Sequence, residues 1–156
     1  MAVAYIGCGS NLGEREGQIR DALKRMGAWG IKVEKVSSFV ESAPYGPIVQ
    51  PDFVNAACLA LTDLSPRELL AALKSIEREM GRLPAARWGP RNIDLDILLY
   101  DKITLNDDDL VIPHKDLPNR RFALLPLIQL AGDDFIHPVS GLSLRRLLAA
   151  LETKGK

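Results

Sequence analysis

The stretch NIDLDILLY, residues 92–100, carries two carboxylates, Asp94 and Asp96, two positions apart in an otherwise mostly aliphatic run. Such alternation predicts a β-strand, in which side chains two apart share a face. Asn92, Asp94, Asp96, Leu98 and Tyr100 then face one way, and Ile93, Leu95, Ile97 and Leu99 face the core. At a rise of about 3.3 Å per residue the two carboxylates stand about 7 Å apart. With an effective dielectric of about 20 they repel by roughly 2 kcal/mol, so something must offset their charge. Water on an exposed face is one answer. A divalent cation is the other: hard carboxylate oxygens suit magnesium, which takes one or two carboxylates and leaves its other positions to water and phosphate. A pair at this spacing can hold two ions about 3.5–4 Å apart. The D-x-D spacing alone does not choose between them.

The neighbours bear on the choice. Arg82, Arg87 and Arg91 fall in or beside one short loop, RLPAARWGPR. Singly each reads as a solvated surface charge. Together, beside two acids, they read as a phosphate clamp completed by metal. Trp88 in that loop is either a core residue or a movable cover over a flat ligand. His114, in VIPHKDLPNRRF, has Arg120 and Arg121 close by, and either contacts phosphate or caps a turn. Asn55 interrupts the apolar run FVNAACLALT on the face of Phe53 and Ala57, where a lone amide needs a partner from protein or ligand. Phe53 and Phe122 read as core. His137 reads as structural, and NDDDL, residues 106–110, as a solvated acidic turn. GCGSNLG invites a dinucleotide reading, but its third glycine comes one residue late and no G-K-[ST] follows, so a tight turn before a helix is the better account.

The elements that must position these residues follow from length and pattern. A chain of 156 residues fits one domain, 1–156, with a sizeable core. The formal charge is zero, which leaves no broad basic footprint for nucleic acid or an anionic membrane. No apolar run is long enough to span a bilayer. MAVAYIGCGSN lacks the pattern of a secretory signal, and a cytoplasmic setting is expected. Cys8 and Cys58 read as buried thiols, and two histidines without a close Cys/His grouping argue against zinc. VAYIGC predicts a strand ended by glycine. Asn11 and Glu14 form a capping-box-like start to a helix with stripe Ile19, Leu23 and Met26, closed by Gly27 and Gly30. IKVEKVSSF predicts a half-exposed strand, ESAPYGPIVQPD a restricted loop, and FVNAACLALT a third strand. In SPRELLAALKSIEREMG, Ser65, Pro66 and Glu68 start a helix, Leu69, Leu73, Ile76 and Met80 form its core stripe, and Gly81 stops it. With NIDLDILLY as the fourth strand, the order is that of a ferredoxin-like split βαβ core. Short extended pieces and helices around 126–130 and 143–151 complete an α+β sandwich.

Four segments, YIGCGSNLG, PYGPIVQPDFVNAA, RWGPRNIDLDILLY and IPHKDLPNRRFALLPL, together resemble the 6-hydroxymethyl-7,8-dihydropterin pyrophosphokinase family over nearly the whole chain. The resemblance implies a ferredoxin-like βαββαβ core with an antiparallel sheet and extra C-terminal strands and helices. It implies pyrophosphoryl transfer from ATP to the pterin's hydroxymethyl oxygen, with AMP released and two Mg²⁺ ions bridging the triphosphate. Asp94 and Asp96 match the metal ligands. Glu77, Arg91, His114 and Arg120 match positions that contact ATP, with Lys74, Ile97 and Lys115 beside the nucleotide. Arg82 and Arg87 match loop arginines that close over the triphosphate, and Arg82, Arg91, Asp94 and Asp96 are the implied catalytic set. Phe53 and Phe122 match the aromatic pair that sandwiches the pterin, Asn55 a residue that hydrogen-bonds its edge, and Ser42, Ala43 and Tyr45 a loop whose backbone reads that edge. Trp88 matches a loop residue that moves on binding. A monomer acting on ATP and the pterin, without nucleic acid or membrane, is the implied setting.

Some positions depart from the family pattern. The 81–90 loop looks one residue short and carries Pro84 where another basic residue is familiar. Lys74 stands where a glutamine can occur, and Val111 and Lys115 stand where a hydroxyl-bearing and an aromatic residue are familiar. The Asp pair admits two other readings. A metal-dependent phosphohydrolase would want a third acidic ligand. A ferredoxin-like module that binds a small ligand without chemistry would leave the Asp pair and the arginine loop idle.

Overall fold

The computed structural model describes residues 1–44, 46–81 and 92–154. Its first strand, β1 (Ala2–Ser10), runs past the glycine, Gly9, at which VAYIGC was expected to end. Both of its edges are paired antiparallel, by β4 (Phe53–Thr62) on one side and β5 (Asp94–Tyr100) on the other. Ladders on two sides override the weak strand preference of glycine. Gly9 and Ser10, expected in the turn before the helix, are therefore strand, and the turn comes later, with Gly13 at φ 67°.

Helix α1 (Arg15–Met26) buries Ile19, Ala22 and Met26 and ends through a 3₁₀ turn at the left-handed Gly30. Its start corrects the capping-box expectation. Glu14 is the N-cap and makes no side-chain cap bond. Asn11 turns away and donates Nδ2 to Gln50 Oε1 at 2.7 Å and to the Pro51 carbonyl at 3.0 Å. A short polar side chain can serve either a helix end or a neighbouring loop, and here the loop before β4 wins.

The predicted strand over 31–39 is split into β2 (Ile31–Val36) and β3 (Val40–Ser42). At the break, Ser37 Oγ accepts from the Ala57 N–H at 2.9 Å, so a side chain stands in for the backbone ladder. Helix α2 (Pro66–Glu79) opens as predicted: Ser65 Oγ accepts from Glu68 N–H, and the Glu68 carboxylate accepts from Ser65 N–H. Gly81 follows it at φ 78°. Asn92 Nδ2 donates to the Met80 carbonyl at 2.7 Å and ties this helix end to the approach to β5.

The sheet runs β2-β4-β1-β5, with β3 beside β4, and every pairing is antiparallel. Helices α1 and α2 cover one face, where Ala4, Ile6, Cys8, Val54, Ala56, Cys58, Leu95 and Ile97 meet Ile19, Leu69, Leu73 and Ile76. Helices α3 (Arg121–Ala131) and α4 (Leu144–Lys154) cover part of the other, against Tyr5, Ala57, Leu98 and Leu99. This is the expected ferredoxin-like core, extended by the small hairpin β6 (Leu105–Asn106) and β7 (Val111–Ile112) and by the two C-terminal helices. Helix α3 starts earlier than predicted, with Pro126 at its sixth position and buried. The bond lost there is only the one to the Phe122 carbonyl.

A bulge in β5 changes the expected faces. Ile97 lies opposite Ile6 and Leu99 opposite Tyr5, so Leu98 is an extra residue. Alternation flips past it: Leu99 joins the α3/α4 side and Tyr100 packs on the α1/α2 side. NDDDL is also more than a solvated turn, since Asp107 and Asp109 both bind the Arg67 guanidinium and clip this turn to α2. His137 is structural, as expected: it is 4% exposed and its Nδ1 accepts from Ser140 N–H. Cys8 and Cys58 are both free and buried. A hydrogen bond with Cys58, then burial, hold the Cys8 thiol well above its ordinary range, which makes it an unreactive core group. No helix among the described residues is long and apolar enough to cross a membrane.

Candidate active site

The face of the sheet that α3 and α4 leave open carries two successive cross-strand rows. One is Asn55, Gly9 and Asp94; the next is Ala57, Gly7 and Asp96. With strands about 4.8 Å apart, the Cα atoms of Asn55 and Asp94 stand roughly 10 Å apart across the intervening glycine. A Cβ on Gly7 would stand 3.2 Å from a Leu98 methyl, and one on Gly9 3.2 Å from Asn55 Oδ1. The glycines thus keep a flat trough between an amide and a carboxylate.

Walls rise on both sides of this floor. Ser42 and Ala43 come from the end of β3, Phe53 from the start of β4, and Phe122 and Ala123 from the first turn of α3. His114, Leu117 and Arg120 come from the segment between β7 and α3. The cleft encloses about 850 Å³, open mouth included, which suits a flat heterocycle with room beside it. Phe53 and Phe122 are therefore half-buried walls and not core, as the resemblance implied and their residue type did not. Of the expected site residues, Ser42, Ala43, Phe53, Asn55, Asp94, Asp96, His114, Arg120 and Phe122 all line this one cleft.

Backbone geometry explains how His114 reaches it. The bulged Leu98 has a carbonyl outside the regular ladder, and the His114 N–H donates to it at 3.0 Å. His114 Nδ1 accepts from the Asp116 N–H at 3.2 Å, so its proton sits on Nε2, which lies 3.9 Å from Asp96 Oδ1. Burial, then the Arg120 charge, lower the His114 pKa, so the ring is neutral and offers Nε2–H to the cleft. Arg120 is held by Asp116 at 3.2 Å, with its guanidinium over the Phe122 ring at 5.7 Å.

Asp96 is where the charge of the pair is most opposed. Burial, then the Asp94 charge, push the Asp96 pKa up to about 7, against the pull of Lys74 and Arg120. The Asp96 side chain nevertheless keeps 35% of its surface open, so an ion can reach it. Among the described residues no cage of three or more His, Cys, Asp or Glu side chains forms. Two carboxylates are what magnesium takes when phosphate supplies the rest.

Four expected contacts lie elsewhere among the described residues. Ile97 is 4% exposed in the core on the opposite face of β5, because odd positions there point at α1 and α2. Lys115 is exposed and does not line the cleft. Glu77, 3% exposed, lies under the strand: Oε2 accepts from the Leu95 N–H at 2.8 Å and Oε1 from Lys74 Nζ at 3.3 Å. It braces the backbone between the two aspartates, and Lys74 adds a positive charge near Asp96. Tyr45, Arg82, Arg87, Trp88 and Arg91 lie outside the described residues. What residue-by-residue reading missed is the floor. Gly7 and Gly9 recur at the strand period in GCG, a signal of a strand face without side chains, but Gly9 reads as the strand's end.

A family model described as 7,8-dihydro-6-hydroxymethylpterin-pyrophosphokinase (HPPK) matches residues 5–132. The 2-amino-4-hydroxy-6-hydroxymethyldihydropteridine pyrophosphokinase of Haemophilus influenzae is 45% identical over 134 residues, covering 85% of this chain and 84% of that protein. The folic acid synthesis protein fol1 of Pneumocystis carinii is 46% identical over 140 residues, but the chain spans only 19% of its length. An HPPK-DHPS crystal structure in complex with substrates shares the fold, with a TM-score of 0.78 at 14% identity, over 98% of this chain and 44% of that one.

Proposed function

Because the chain belongs to the 7,8-dihydro-6-hydroxymethylpterin-pyrophosphokinase family, we propose that it transfers a pyrophosphoryl group from ATP to the hydroxymethyl oxygen of 6-hydroxymethyl-7,8-dihydropterin and releases AMP. The observation that carries the reading is the single cleft in which the glycine trough, flanked by Asn55 and walled by Phe53 and Phe122, ends at Asp94 and Asp96. The pterin lies flat on the trough between the two rings. Its polar edge meets Asn55 and the 42–43 segment, and its hydroxymethyl group points toward the aspartates.

Asp94 and Asp96 would hold Mg²⁺, two ions in this reading. Bound there, magnesium supplies neutralisation of the phosphate oxygens and a lower pKa for the attacking hydroxyl. The protein's own residues position and shield. His114 Nε2–H and the Arg120 guanidinium face the same end of the cleft as the Asp pair and suit phosphate oxygens. Arg82, Arg87 and Arg91 would add donors from the loop before β5, with Trp88 as its cover. Phosphoryl transfer asks for little beyond such placement and charge stabilisation, so no protein base is required. Soluble small-molecule substrates and a cytoplasmic monomer are the setting this reading implies.

The test is incubation with γ-labelled ATP, magnesium and the dihydropterin, with Asp94→Ala as control. Label on the pterin together with AMP, and a dead control, would support pyrophosphoryl transfer. Labelled pterin with ADP would replace it with simple phosphorylation.

A further inference from the structure

Asn55 is 6% exposed, yet it borders the cleft with one polar atom uncommitted. Its Nδ2 donates to the Val40 carbonyl at 3.2 Å and to Ser42 Oγ at 2.8 Å. A carbonyl only accepts, so the atom beside Val40 must be the nitrogen, and the amide has one orientation. Both Nδ2 hydrogens are then used. Oδ1 has no hydrogen-bond partner among the described residues. It points over Gly9, where an added Cβ would stand only 3.2 Å away.

We propose that Ser42, through its side chain, and Gly9, through its lack of one, are positioning residues that lock Asn55 with Oδ1 presented to the cleft as a pure acceptor. The site then selects a planar heterocycle whose edge carries N–H donors, such as an amino group or a protonated ring nitrogen. An edge carrying only acceptors meets lone-pair repulsion, because turning the amide over would set Oδ1 against the Val40 carbonyl. A site built around a hydrogen bond rejects a ligand that lacks it strongly, since its own polar group is left unpaired. The substrate named rests on the pterin reading; the lock itself does not.

The two are tested separately. In the unliganded protein, NMR should show slow hydrogen exchange for both Asn55 side-chain amide protons. Ser42→Ala should speed exchange of one of them, and Ser42→Thr should restore it. Unchanged exchange in Ser42→Ala would overturn the lock whatever the ligand. Equilibrium binding of 6-hydroxymethylpterin and its 2-desamino and 3-methyl analogues then reads selectivity. Wild type should prefer the parent over at least one analogue. Ser42→Ala and Gly9→Ala should lose about tenfold of that preference, with ATP binding retained. Full preference in both variants would sink the selectivity claim, and wild type blind to all three pterins would sink the substrate reading with it.

Discussion

Asp96 holds its proton more firmly than an ordinary aspartate, because burial and the neighbouring Asp94 both oppose its charge. The consequence for stability has a definite sign. A carboxyl whose pKa is raised on folding favours the folded state while protonated, and that contribution is lost as pH climbs from about 4 through the folded value of about 7. Thermal melts of metal-free protein should show this contribution to the midpoint falling between about pH 4 and pH 7 and levelling off above it. Asp96→Asn should flatten that fall, and a variant with the wild-type slope would place the titration elsewhere. Below pH 7, loading Mg²⁺ should release protons, since the cation needs the carboxylate. If Arg91, which the family resemblance marks as an ATP contact, donates to the triphosphate, Arg91→Ala should lower turnover about 10²–10³-fold, the cost of one well-placed donor, as read from initial rates at saturating substrates.

Elements place these residues by ordinary means, and α2 is the clearest case. Its capping box was legible from Ser65, Pro66 and Glu68, and removing the cap oxygen in Ser65→Ala should cost about 1 kcal/mol in urea denaturation. What α2 does for the site was less legible. Glu77 stands in the sequence as a match to an ATP-contacting position, and only the packing shows it bonded to the Leu95 N–H. Glu77→Leu leaves that buried N–H without its partner and should destabilise the protein by roughly 1–3 kcal/mol, measured the same way. The Asp pair and its shared face were visible in the alternation of NIDLDILLY, but the bulge at Leu98 was not. Periodicity counts residues along one strand, and a bulge depends on the partner strand's register. The same limit hid the glycine floor: Gly7 and Gly9 are uninformative until β4 and β5 stand on either side of them. Asn11 was misread because a cap and a loop tie look alike in a local window.

Across the whole molecule, the site and the fold answer to the same binding events. A ligand that binds only the folded form at 100 times its dissociation constant stabilises it by about 2.7 kcal/mol. For a chain of this size that raises the melting midpoint by roughly 2–4 °C per kcal/mol. MgATP together with a pterin should therefore shift the midpoint more than either alone, and a shift from ATP that ignores magnesium would speak against a metal-bridged site. One further consequence belongs to β1. Gly7 and Gly9 form the trough while Ile6 and Cys8, between and beside them, are core. Recognition surface and structural core are thus separated by the thickness of a single backbone. A change in the hidden face of this strand is felt at once at the trough. Drift in β1 that would pass unnoticed in a scaffold with a remote cleft is here exposed to selection on the cleft, so the hidden face of β1 should change no faster than the trough above it.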